Sequence, residues 1–176
     1  MTSSLESHLR ARREGGRKIL VPYVTGGLPG WLDAIRAAAA QGADAIEIGI
    51  PFSDPVMDGP VIQQASEAAL RNGATPVSIL QEIRSVDVEI PLAVMCYYNT
   101  VHNAGHERFA SMLADSGIVG AIVPDLPLEE SGPWCAAADA AGIETVMLAA
   151  PTAPESRLPR IIERARGVDR KSTRLN

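Results

Sequence analysis

Five short apolar runs, separated by longer segments of helical period, restrict this chain more than any other feature. They are ILVPYV (19–24), AIEIGI (45–50), PLAVMCY (91–97), IVGAIVP (118–124) and IETVML (143–148). Each is apolar at nearly every position, which is how a strand reads when both of its faces are covered, as in a parallel sheet. The intervening segments carry helix punctuation. WLDAIRAAAAQG stops at Gly42 and IQQASEAALRNG at Gly73, both left-handed stops. Thr75 and Pro76 supply an N-cap and a first-position proline for VSILQEIR. HERFASMLADSG and EESGPWCAAADAAG repeat the scheme, with apolar residues three or four apart. Thr152 and Glu155 have capping-box spacing before RLPRIIERARG, where Pro159 falls in the first turn and its missing N–H costs little.

Strand then helix, five times over, makes an α/β protein with right-handed crossovers. An open doubly wound sheet and a closed (β/α)8 barrel compete for that pattern. TGGLPG follows the first strand in place of GxGxxG, weak evidence for a dinucleotide fold. The second strand helps decide. Ile46, Ile48 and Ile50 point one way, toward helices, and Ala45, Glu47 and Gly49 point the other. A carboxylate between small residues suits the interior of a barrel near its C-terminal mouth, where catalytic groups collect. The expected fold is a TIM-type (β/α)8 barrel, incomplete here, with about five βα units legible.

A length of 176 residues allows one domain with a real core. The net charge of -5 and the lack of a basic face argue against nucleic-acid binding. The N-terminal segment is charged where a signal peptide needs an apolar core, and no apolar run approaches the roughly 20 residues needed to span a bilayer. Cys96 and Cys135 are far apart and outside any CxxC pair, so neither a disulfide framework nor a zinc site is indicated. A cytoplasmic globular protein with no membrane partner is expected.

Glu47 and Asp58 carry the chemistry in IEIGIPFSDPVMDGP (46–60). From spacing alone, a structural acid in a buried ion pair and a general acid/base are equally good readings of Glu47. In the second reading, burial disfavours the charged form and raises the pKa toward neutrality, where proton transfer is most effective. Asp58, on a loop, would stay ionised, so the two environments separate an acid from a base. Taken alone, Asp58 is better read as a turn residue before Gly59.

The stretch EIGIPFSDPVMDGPVIQ closely resembles the signature of the tryptophan synthase alpha subunit family, which are (β/α)8-barrel lyases. The resemblance runs from about Ser4 to Gly167. It includes PYVTGGLPG, YYNTVHNAGHERF, VPDLPLEES and AAPTAPESRLPRI, each after its strand. Met57, where the family more often has alanine, is a mild departure. The resemblance implies retro-aldol cleavage of indole-3-glycerol phosphate to indole and glyceraldehyde 3-phosphate. Glu47 would move the protons, and Asp58 would accept the indole N–H. No metal or organic cofactor is implied for this half-reaction; pyridoxal phosphate belongs to the beta subunit, the partner in an alpha2-beta2 heterotetramer. Pro51, Asp54, Pro55 and Asn103 are the candidate contacts with that partner, although prolines and Asp on a loop are ordinary turn residues too.

Strand alternation together with the match puts Tyr23, Met95, Tyr97, Ile122 and Pro124 at strand ends, lining an apolar slot for indole. Simple barrel packing explains Met95 and Ile122 equally well. His102 and His106 are four apart, but Gly105 between them argues against one continuous helix and so against a metal pair. Cys96 has no evident basic partner and is read as core. After Gly167 the resemblance stops. The tail 168–176, VDRKSTRLN, is polar and basic and lacks strand period. Residues 1–167 are therefore expected to form a partial barrel, and the tail to be foreign or read-through sequence. Roughly three of the eight units, and with them the phosphate-binding residues, are expected to be missing. Two alternatives stand beside the lyase: a non-catalytic piece that binds the beta subunit, and another phosphate-handling barrel, an isomerase or epimerase.

Overall fold

The computed structural model describes residues 4–149, 154 and 156–167, together with the backbone of 170–171. Thr152 and Glu155, the expected capping box, lie outside the described residues. The elements run α1 (Leu5–Glu14), β1 (Tyr23–Thr25), α2 (Trp31–Ala40), β2 (Ile46–Gly49), α3 (Pro60–Arg71), α4 (Pro76–Ile83) and β3 (Leu92–Met95). Then come α5 (Tyr98–Ala104), α6 (His106–Asp115), β4 (Ile118–Ile122), α7 (Gly132–Ala140) and β5 (Glu144–Val146). Short β6 (Leu148–Ala149), α8 (Leu158–Arg164) and short β7 (Arg170–Lys171) follow.

Strands β1 to β5 pair in sequence order, all parallel. A doubly wound sheet reverses its strand order at a switch point. Here every crossover steps the same way, as the staves of a barrel do. The two faces separate as the alternation of β2 predicts. Ile46, Ile48 and Ile50 join Trp31, Ile35, Ile79 and Phe109 in the larger core, between sheet and helices. Ala45, Ala93, Met95, Ile122 and Val146 form a second, inward cluster.

Four of the expected helix signals, all on described residues, act as read. Thr75 Oγ1 accepts the Ser78 N–H at 3.0 Å and caps α4, with Pro76 opening the helix. Gly42 and Gly73 take φ of +94° and +84° just past α2 and α3, a region other residues seldom adopt. Pro159 sits in the first turn of α8.

The first strand is shorter than its apolar run. The Leu20 N–H donates to the buried Asp44 carboxylate at 2.9 Å, and Pro22 has no N–H to give. Regular pairing therefore begins at Tyr23. The fifth strand ends at Val146, and β6 leaves the sheet to pair with β7. Arg170 and Lys171 of the polar tail thus enter a two-residue ladder, because backbone N–H and C=O groups pair whatever the side-chain pattern.

Helix α1 was not anticipated. Ser4 caps it, and Leu5 and Leu9, one turn apart, insert into the inward cluster. Its Glu6 N–H donates to Glu144 Oε2 at 2.9 Å, and Arg12 and Arg17 approach the Asp44 carboxylate at 3.7 and 3.6 Å. Glu144 opens β5 and Asp44 precedes β2, so α1 closes the N-terminal end of the strands. The segments that follow β2, β3 and β4 emerge at the opposite, C-terminal end.

Candidate active site

Glu47 lies mid-strand in β2, 7% exposed, between Tyr23 of β1 and Ala93 of β3 in the sheet register. One step nearer the C-terminal end on the same face comes Gly49. A methyl group built there would overlap the Tyr23 hydroxyl and stand 2.9 Å from its Cε2. Tyr23 therefore leans across β2 through space that only a glycine leaves open. Met95, paired with Gly49, and Ile122, paired with Met95, continue the inward wall. Both belong to the cluster with Val146, so each packs the barrel interior. Pro124 lines an open cavity of about 450 Å³ at the ends of β4 and β5, together with Met57, Val146 and Leu148.

The loop between β2 and α3 carries Asp58, which is half-buried. Its Oδ2 accepts a hydrogen bond from the Tyr97 hydroxyl at 3.1 Å. The same hydroxyl oxygen accepts the Met57 N–H at 2.9 Å. The Tyr97 ring stacks on Phe52 with centroids 5.1 Å apart, and Gln63 Nε2 donates to the Asp58 carbonyl at 2.9 Å. Burial pushes the Tyr97 phenol above its ordinary range; the Met57 N–H opposes this and the Asp58 charge adds to it. The phenol is therefore protonated at neutral pH and able to donate. From its place after β3, Tyr97 reads as one more wall residue; its hold on the loop was not legible there. A phenol at the mouth beside a Pro- and Asp-rich loop was the available signal.

Of the candidate partner contacts, Asp54 and Asn103 are exposed, Pro55 is partly exposed and Pro51 is buried at the end of β2. His102 and His106 stand in separate helices broken at Gly105, whose φ is +84°. His106 Nε2 pairs with the Tyr98 hydroxyl at 3.0 Å. Among the described residues, no group of three or more His, Cys, Asp or Glu is placed to hold a metal ion. Cys96 is fully buried, and burial, reinforced by the Asp125 charge, pushes its thiol far up. That makes it a poor nucleophile.

A family model described as "Tryptophan synthase alpha chain" matches residues 9–168. The chain belongs to the tryptophan synthase alpha chain family. The alpha chain of Thermobifida fusca is 43% identical over 167 residues, covering 93% of this chain and 62% of that relative. That of Streptomyces coelicolor is 41% identical over 162 residues, covering 89% and 60%. This chain thus spans about 60% of the length of these alpha chains. Among solved structures, tryptophan synthase from M. tuberculosis in its aminoacrylate-bound form aligns with a TM-score of 0.91 at 34% identity, covering 97% of this chain and 72% of that one. The alpha chain from Legionella pneumophila aligns with a TM-score of 0.88 at 30% identity, covering 95% and 66%. The five sequential staves are therefore part of an alpha-chain barrel. Glu47, Asp58 and Tyr97 all lie within the matched span. Among the described residues, no helix is long and apolar enough to cross a membrane.

Proposed function

We propose that this chain carries the acid/base half of a carbon–carbon lyase site that cleaves indole-3-glycerol phosphate. The supporting observation is the pairing of a buried inward carboxylate, Glu47, with a second carboxylate, Asp58, on a loop at the mouth of the same strands. Retro-aldol cleavage needs a proton placed on indole C3 and a proton taken from the side-chain hydroxyl next to the breaking bond. Glu47 serves both ends. As the hydroxyl becomes the aldehyde of glyceraldehyde 3-phosphate, the electrons of the broken bond return to the ring and indole leaves. Asp58 accepts the indole N–H, so its charge stabilises the ring while C3 is protonated. Tyr23, Met95, Ile122 and Pro124 supply apolar wall around the indole, and the Tyr97 ring contributes with them.

The reaction so written runs on proton transfers; pyridoxal phosphate belongs to a beta-subunit partner, with which the chain would form an alpha2-beta2 assembly in the cytoplasm. Asp54, Pro55 and Asn103 offer the accessible part of the proposed contact, and Pro51, being buried, would join it only indirectly. The test uses a chimera in which this chain is joined to the C-terminal βα units of the Thermobifida fusca relative. Glu47→Gln is expected to abolish indole release there while leaving the circular dichroism spectrum unchanged. Near-wild-type release would remove Glu47 from the mechanism.

A further inference from the structure

We propose that Tyr97 is a positioning residue for Asp58: its hydroxyl latches the β2–α3 loop so that the Asp58 carboxylate is held at the mouth of the barrel. The inference rests on the role given above to Asp58. A single phenol oxygen meets two consecutive residues of the loop, donating to the Asp58 carboxylate at 3.1 Å and accepting the Met57 N–H at 2.9 Å. Its ring stacks on Phe52 near the start of that loop. The loop is otherwise a surface feature: Ser53, Asp54, Val56 and Met57 are all exposed. Tyr97 itself is 3% exposed and sits two residues past β3, at the N-cap of α5, so it is held between two regular elements. A buried group just past β3 thus holds an exposed loop at both Phe52 and Asp58.

The arrangement also sets the acid's orientation. A carboxylate accepts at two oxygens, and directing Oδ2 to Tyr97 turns the other edge of the group away from that contact. A donor at the mouth, such as an indole N–H, then meets a carboxylate already oriented. Misplacing a catalytic group by about 1 Å costs on the order of a hundredfold in rate, so the latch contributes to turnover more than to ground-state affinity.

Tyr97→Phe isolates the hydroxyl, because the ring, its burial and the Phe52 stack remain. In the 176-residue chain, the Met57 amide is expected to exchange about tenfold or more faster in Tyr97→Phe, with the Ile48 amide of β2 unchanged. Unchanged Met57 exchange overturns the latch. Tyr97→Phe unfolding would make Met57 uninformative, so a second measurement leaves Tyr97 in place. In Asp58→Asn, tyrosine absorbance should show Tyr97 ionising at lower pH than in the wild type, as Asp58's charge is gone. A titration that does not move overturns the contact. In the chimera, Tyr97→Phe should lower kcat about tenfold or more while KM changes less than about twofold. A rise in KM alone would make Tyr97 a binding residue and overturn the positioning role. Full turnover in Asp58→Asn, by contrast, would defeat the functional reading while leaving the Met57 result intact.

Discussion

Gly49→Ala tests the construction of the site in a way that separates packing from backbone strain. Gly49 is not among the positive-φ glycines, so the strand geometry accepts an L side chain. Removing glycine from an unstrained position even stabilises a chain by about 0.4–1 kcal/mol, through the unfolded state. The cost must therefore come from the added methyl. It would overlap the Tyr23 hydroxyl and lie 2.9 Å from Cε2, against an ordinary contact of about 3.5–4.0 Å between carbons. The ring is stiff, so Tyr23 has to swing off β2. Overpacking of this kind costs about 1–3 kcal/mol. With a urea m-value of ~2 kcal/mol per M, a loss of ~2 kcal/mol lowers the unfolding midpoint by about 1 M. The decisive comparison is the double-mutant cycle. In Tyr23→Ala the obstructing ring is absent, and adding Gly49→Ala should be neutral or mildly stabilising, giving a coupling of about 1 kcal/mol or more. An equal loss in both backgrounds would refute the close packing of Tyr23 over Gly49. In the chimera, Gly49→Ala should also lower turnover, because Tyr23 pairs with Glu47 in the register and moves within the same wall.

Cys96, fully buried with its thiol pushed up, should resist iodoacetamide at pH 8 in the native chain and react on denaturation; rapid native labelling would contradict its core placement. His8 is held below its ordinary pKa by burial and by the Arg12 charge, with Asp44 opposing. Its neutral form is favoured on folding, so this stability is present above about pH 6.5 and lost as pH falls through the folded value. His8→Gln should flatten that part of the pH–stability curve, measured by urea midpoints from pH 7.5 to 5. Among the described residues, β1 and β5 each pair on one side only, and Ile19, Leu20 and Val21 are 38%, 57% and 39% exposed beside β1. The isolated 176-residue polypeptide should therefore self-associate with rising concentration in sedimentation velocity, and Leu20→Lys should reduce it.

Much of the scaffold is written locally in this chain. The isoleucines at 46, 48 and 50 alternate with Ala45, Glu47 and Gly49, so the period of a strand alone assigns helix side and barrel side. Thr75-Pro76, Gly42 and Gly73 mark helix ends because caps depend on residues within one turn. Glu47 as a buried acid and Asp58 as a loop acid are legible for the same reason. Helix α1 was legible in principle, from Ser4 and the Leu5–Leu9 spacing, but a single turn of apolar residues in a charged segment carries little signal. Its docking on the inward face depends on Glu144, which is 138 residues from Glu6 in sequence.

What only the tertiary structure decided are contacts of that long-range kind. Asp44 draws the Leu20 N–H out of the ladder across 24 residues and so delays β1. Tyr97 and Asp58 are 39 residues apart, and nothing in either local sequence says which way the phenol will turn. Parity places Tyr97 on the inward face, yet a side chain on that face can meet substrate space, a neighbouring strand or a loop. Tyr23 across Gly49 is the same case, with strand pairing bringing together residues 26 positions apart. Local periodicity fixes the direction in which a side chain leaves the backbone; the partner at the end of it is chosen only when the strands come into register.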